Sequence, residues 1–375
     1  MIPPENHSNL NQPKNKKTVN YLGKTTKDMT VDLTITGSII NDLKHQLEKS
    51  SDKDRIKSKA AKILKVFHKN SAATIEKYFE KNPGSSKIVT KAYSNLTDET
   101  LEAVFFVCEE ILYPRPSQKV TEFSVISVGG YGREQMAPYS DIDVLFLVPE
   151  KITNRAQEII KTTLYILWDL KLKIGHATRN IEECIKLAKD DFTIRTSLLE
   201  NRFVCGNQSL AESLDKKLWE KIFSKSISKF VEAKLIERSK RLRKHGGQRY
   251  VLEPNVKEGK GGLRDLQSLF WIAKYVRGVK SENDLIELGV ITELELKDFR
   301  LAEEFLWNVR IHLHMISRRA MEQLTFDYQV EIARRMGFLD SAGRRAVEHF
   351  MQVYFTHATK VGEFTRIIPV SYTHL

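Results

Sequence analysis

The chain has 375 residues, 41% of them hydrophobic and 29% charged, and its 60 Lys and Arg against 48 Asp and Glu give a formal charge of +12. That composition suits a protein that buries a large core without disulfide or metal staples, and it excludes collagen-like and low-complexity chains. No apolar run approaches the ~20 residues needed to cross a bilayer, so a membrane is not an expected partner. The positive charge favours phosphates, nucleotides, nucleic acid or an acidic protein surface without choosing among them.

Residues 1 to 35 are polar and without period and are expected to form a loose, disordered tail. The stretch Met1 to Lys17, rich in Asn, Pro and Lys, lacks the apolar centre of a signal peptide. The three cysteines, Cys108, Cys184 and Cys205, are far apart and form no CxxC pair, so buried free thiols of a cytoplasmic protein are expected. Residues 36 to 80 space Ile, Leu and Val among Lys and Glu, which predicts two surface helices. A further helix is predicted to start at the cap Thr97-Asp98-Glu99 and to end before Tyr113-Pro114-Arg115-Pro116.

The pattern then changes. Phe123 to Val128 and Ile142 to Val148 are short, β-branched runs bounded by Gly or Pro, hence two strands joined by a glycine-rich loop. A helix over 153–170, a third strand over Leu172 to Thr178 and helical pattern from 181 onward follow. From 209 to 370 almost everything reads as helix, except Glu253 to Gly262, where Pro and three glycines forbid a regular element. The fold class expected is α+β: N-terminal helices over 36–115, a small mixed-sheet core over 116–205 and an all-helical domain over 206–370.

Chemistry concentrates between the first two strands. Gly129, Gly130 and Gly132 let the backbone approach a ligand and turn successive N–H groups toward phosphate oxygens, and Arg133 adds a guanidinium suited to the same anion. Further along, Ser140-Asp141-Ile142-Asp143 opens the second strand, whose alternation puts Asp141 and Asp143 on one face and Ile142 and Val144 on the other. Two carboxylates so placed repel unless a cation lies between them, and Mg²⁺ is the expected occupant because it completes its shell with substrate phosphates and water. The expected reaction is attack by an acceptor oxygen on the α-phosphorus of a nucleoside triphosphate, with pyrophosphate leaving. A tight hairpin with a solvated strand end is the blander reading. A GxGxxG dinucleotide loop is excluded, since position 135 is Gln and a strand follows.

On these residues the sequence resembles the nucleotidyltransferase superfamily of DNA polymerase beta, which carries a glycine pair and then two acids. Gly129 to Arg133 with Pro138 to Asp143, Gly175-His-Ala-Thr-Arg179, Leu198 to Arg202, Glu253 to Gln267 and the run from Phe326 to Arg366 narrow it further. They resemble the bacterial PII-uridylyltransferase family over residues 95 to 367. The resemblance implies transfer of UMP from UTP to a tyrosine hydroxyl of the nitrogen regulatory protein PII. It also implies metal binding by Asp141 and Asp143 and nucleotide binding by the Gly129–Gly130 loop, with Gly132, Arg133 and Ser140 beside it. Family chains continue into an HD-type hydrolase domain and two ACT domains, which are expected to be absent here, as no His is followed by Asp.

The superfamily offers a third acid on a later strand. Leu172 to Thr178 has none, so His176 is the candidate base, with a structural histidine as the alternative. Asp190, Asp191 and Glu200 lie nearby in sequence. Lys257 and Lys260, among glycines, are candidates for the triphosphate or pyrophosphate, against the alternative of solvated loop lysines. Arg264 and Asp265 are expected to pair and fix that loop, and His312 with His314 to point to different sides of a helix. The basic run Lys240 to His245 is read as a solvated face or an acidic-partner surface in preference to a nucleic-acid site. Two other readings stay open: a nucleotidyltransferase of different nucleotide or acceptor specificity, and a catalytically impaired nucleotide-binding regulatory module.

Overall fold

The computed structural model describes residues 38–47, 52–115, 121–245, 251–279, 281–341 and 343–373; the tail expected over 1–35 lies outside them. The helices α1 (Ser38–Leu47), α2 (Lys53–Lys81) and α3 (Ser86–Phe106) come first, and α3 runs on into a wider π turn over Val107–Leu112. Asp52 caps α2 by accepting the Asp54 N–H at 3.0 Å. The helix predicted to begin at Thr97 begins eleven residues earlier. Thr97 is buried in the middle of α3 and turns its hydroxyl back onto the Tyr93 carbonyl at 2.8 Å, so it needs no cap role.

Strand β1 (Ser124–Ser127), the short helix α4 (Gly129–Gly132), β2 (Ile142–Leu147), α5 (Asn154–Asp169) and β3 (Ile174–Arg179) follow. Next come α6 (Ile181–Asp190), α7 (Phe192–Leu199) and β4 (Arg202–Gly206). The sheet order is β3-β2-β1-β4, with β2 and β3 parallel and both partners of β1 antiparallel, a mixed sheet as expected. Strand β4 breaks the helical pattern predicted from 181 onward. It is a five-residue edge strand opening on a charge, too short to leave a period-2 signature.

Alternation along the strands divides the core. Ile142, Val144 and Phe146 pack with Ile159, Ile160 and Leu167 of α5, while Leu145 and Leu147 join Cys184, Ile185 and Leu214 on the other face. Each large side chain so buried contributes roughly 1.5–3 kcal/mol. Thr153 caps α5, and Asn180 with Glu183 forms a reciprocal capping box on α6.

The rest is helical: α8 (Gln208–Leu218) with a π turn over Trp219–Phe223, α9 (Ile227–Lys244), α10 (Leu263–Arg277) and α11 (Asp284–Glu287). Then come α12 (Glu293–Ser317), α13 (Phe326–Arg335) and α14 (Ala346–Thr373). Helices α10, α12, α13 and α14 share a second core that includes Leu306, Val309, Leu313, Ile332 and Phe350. Among the described residues no helix is long and apolar enough to cross a membrane. The free thiols Cys108 and Cys184 are buried, and Cys205 is partly so. Burial pushes Cys108 up to about 12 and Cys184 to about 11.

Candidate active site

The site forms where β1 turns into β2. Gly129 has a φ of +61°, which lets the chain leave β1 and wind at once into the one-turn helix α4. The turn's own bonds begin at the Gly132 N–H, which donates to the Val128 carbonyl at 3.1 Å, so the Gly129 and Gly130 amides precede the first of them. Tyr131 is the anchor: buried, it donates its hydroxyl to Asp98 of α3 at 2.5 Å, and Arg202 of β4 holds the same carboxylate with two bonds of 2.9 Å.

Asp141 and Asp143 are both exposed and Ile142 between them is buried, so the alternation read from the sequence holds. The Asp143 Oδ2 lies 3.5 Å from where a Cβ on Gly129 would stand, and a Cβ on Gly175 of β3 would overlap its Oδ1. The carboxylate is thus wedged between two backbones that lack side chains. Partial burial, then the negative charge of Asp141, pushes the Asp143 carboxyl above the ordinary range, against a downward pull from Lys257.

Lys257 comes from the glycine-rich segment more than a hundred residues away. That segment is an ordered turn: the Asn255 side chain accepts the N–H groups of Lys257 at 3.1 Å and Glu258 at 2.7 Å, and Val256 donates to the Glu322 carbonyl at 2.8 Å. Burial, then the charges of Arg310 and Arg264 against the pull of Glu322, holds the Lys257 ammonium below its usual value. Glu322 is buried enough to be raised by that alone, yet His314 and the Arg310 guanidinium, the latter 2.7 Å away, outweigh burial and bring it down to about 2. His314, wholly buried, accepts the Tyr139 N–H on Nδ1 at 3.4 Å and turns Nε2 toward Glu322 at 3.5 Å. The Glu322–His314 pair therefore braces both the loop leading to Asp141 and the turn carrying Lys257, a link between distant segments that no local pattern announces.

Several candidates land elsewhere. His176 pairs in register with Val144 and lies against Trp168 of α5, ring centroids 6.1 Å apart, on the face opposite to Asp143. It is not positioned as a base for that carboxylate pair, because neighbouring residues of a strand point to opposite faces. Gly132 faces the backbone of Glu200: a Cβ there would overlap the Glu200 carbonyl, so close packing alone requires glycine at this position. Arg133 is engaged by the buried Glu200 carboxylate and stands over Trp271 at 5.7 Å, so both charges already have a partner within the protein. Asp191 caps α7 through the Thr193 and Ile194 amides. Ser140 accepts the Ala137 N–H at 2.9 Å and closes the turn before the acids.

Lys260 shares the turn of Lys257, partly exposed, but is not among the charges acting on Asp143. Arg264 pairs with Glu258 at 3.1 Å, and Asp265 with Arg238 at 3.1 Å and with Arg241, so ion pairs do fix the loop, but each residue takes a partner other than its neighbour. Arg241 and Arg238 thereby leave the basic run's solvent face to Lys240, Arg243 and Lys244. His312 lies tilted against Phe79, ring centroids 4.8 Å apart, while His314 turns to Tyr139, so the two histidines do part.

The donor set fits a hard divalent cation. Two carboxylates share one face, one of them raised by partial burial and then by the charge of the other, and glycines flank it. Among the described residues no cluster of three His, Cys, Asp or Glu side chains is found.

Comparison with known proteins agrees with this geometry. Residues 115–200 match the model of the nucleotidyltransferase domain, and residues 229–368 match that of GlnD PII-uridylyltransferase. The chain is 51% identical over 319 residues to the bifunctional uridylyltransferase/uridylyl-removing enzyme of Ruegeria pomeroyi, covering 85% of this chain and 35% of that protein. It is 52% identical over 290 residues to the enzyme of that name from Cereibacter sphaeroides (77% and 31%) and 45% identical over 306 to that of Rhodospirillum rubrum (81% and 33%). The chain spans about a third of the length of these curated relatives. It belongs to the PII-uridylyltransferase family of nucleotidyltransferases.

Proposed function

We propose that this chain transfers UMP from UTP to a tyrosine hydroxyl of the nitrogen regulatory protein PII and releases pyrophosphate. The observation that carries the reading is the wedged Asp143 beside Asp141, at the glycine turn and within electrostatic reach of Lys257. The names of the relatives supply nucleotide and acceptor. Asp141 and Asp143 would hold Mg²⁺, which when bound supplies charge neutralisation at the α-phosphate and at the leaving oxygen.

The chain's own residues do the rest. The amides of Gly129 and Gly130 line the phosphate approach, and Lys257 brings a positive charge to the triphosphate that the two aspartates would otherwise repel. The new bond joins the phenolic oxygen to the α-phosphorus as the bond to the β-phosphate oxygen breaks, with pyrophosphate taking the electron pair and the phenolic proton passing to solvent. Cytoplasmic placement is part of the same proposal.

The test is transfer of label from UTP, with ATP as control, to purified PII in the presence of Mg²⁺, in the parent chain and in Asp141→Ala/Asp143→Ala. Label on PII from UTP alone, absent in the double variant, is expected. Transfer from ATP, or no transfer to PII by the folded parent chain, would sink the reading.

A further inference from the structure

Strand β3 forms one edge of the sheet: it pairs with β2, and among the described residues no strand lies beyond it. The opposite edge, β4, is packed by α3 and α8; β3 meets α5 on one face, and every residue of it stays exposed or half-exposed. Ile142 N–H donates to the Lys173 carbonyl at 2.8 Å and Val148 N–H to that of Arg179 at 3.0 Å. Odd-numbered residues therefore face β2, and the N–H and C=O groups of Ile174, His176 and Thr178 face outward. Such an edge is a template for one more strand.

What borders this edge gives it a role. On one face Gly175 lies against the Asp143 carboxylate. On the other, Thr178 and the α5 residues Leu164, Tyr165 and Trp168 line a groove of about 290 Å³. Tyr165 and Trp168 meet edge to face with centroids 5.6 Å apart, yet they are 52% and 46% exposed. Paired aromatics left open beside an apolar groove have the composition of an interface centre. Side chains of a strand alternate between faces, so one added strand would deliver a residue to Asp143 and its neighbours to this groove. Lys171 and Lys173, both exposed where β3 begins, favour acidic residues at that end of the occupant.

We infer that the acceptor polypeptide binds as an extended segment added to the free edge of β3, with the modified tyrosine facing Asp143 and an apolar neighbour, an odd number of residues away, seated between Tyr165, Trp168 and Thr178. The inference rests on the transferase reading above and adds to it how the acceptor is held.

Two variants and a footprint on the 375-residue chain test it. Thr178→Pro deletes one outward N–H while sparing the bonds to β2, and Trp168→Ser removes a groove wall. Each is expected to raise the KM for PII tenfold or more while leaving the KM for UTP within twofold. PII should also slow hydrogen exchange at residues 174–178 of the parent chain. A parent that labels PII with β3 exchange unchanged, or a Trp168→Ser chain with an unaltered KM for PII, overturns edge docking and leaves the transferase reading intact. A folded parent that neither labels PII nor gains protection at β3 overturns both. Should Thr178→Pro fail to fold, Trp168→Ser, at an exposed position, decides the matter by itself.

Discussion

Asp143 and Gly175 face each other across the parallel pair β2 and β3 so closely that any side chain at 175 would overlap the carboxylate. Gly175→Ala must therefore displace the Asp143 side chain or part the strands, and at an exposed strand end the carboxylate moves more readily. A displacement of an ångström at a reacting centre costs on the order of 100-fold in rate. Gly175→Ala is expected to lose that much UMP transfer with little change in melting temperature. Full activity in a folded Gly175→Ala chain would show that Asp143 tolerates the shift and is not held for chemistry.

Lys257 and Lys260 sit in the same turn, but only Lys257 acts on Asp143. Replacing a half-buried ammonium that would meet a phosphate would remove a charge-assisted bond of roughly 1.5–3 kcal/mol, equivalent to about 10- to 100-fold in affinity. Lys257→Met is expected to weaken UTP binding by that factor, and Lys260→Met by less than threefold. Equal effects in a direct UTP titration would return both residues to the role of solvated loop lysines.

Arg133 and Glu200 make a buried ion pair beside Trp271. Removing one partner leaves the other charge stranded, at a cost of about 3–5 kcal/mol. Arg133→Met should lower the chemical-denaturation midpoint accordingly, and Arg133→Met/Glu200→Leu should recover most of the loss. If Arg133 bound triphosphate instead, the single variant would keep its stability and lose UTP affinity.

The elements that sequence made legible are those with a period and a boundary. The first three strands begin and end within two residues of expectation, because β-branched runs stand between Gly, Pro and charged residues. The alternation at Ile142 gave the shared face of Asp141 and Asp143 directly. What stayed hidden depends on contacts between distant segments. The pairing of Arg133 with Glu200, the bracing of Tyr139 by His314 and the approach of Lys257 to Asp143 span 67, 175 and 114 residues of chain. The strand of His176 is legible in the sequence, but which face its ring takes relative to Asp143 follows from the register with β2, and register is a property of the pair.

His312 offers a test of the fold by pH. It is buried on α12 against Phe79, and among the described residues neither ring nitrogen has a hydrogen-bond partner. Burial, then the charge of Arg335, lowers it to about 4. In the unfolded chain a histidine titrates near 6.5. Between those two values the unfolded chain holds a proton that the folded chain does not, so stability rises with pH there and falls as the solution is acidified. The loss starts near pH 6.5, amounts to about 2 kcal/mol at pH 5, and stops growing below about pH 4, where folded His312 is protonated as well. Urea unfolding at pH 7.5 and pH 5 measures it. His312→Leu fills the same apolar site without a titrating group and is expected to reduce the pH dependence by about 2 kcal/mol and to match or exceed the parent's stability at pH 7.5. An unchanged pH slope in that variant would mean that His312 is not the group taking up the proton.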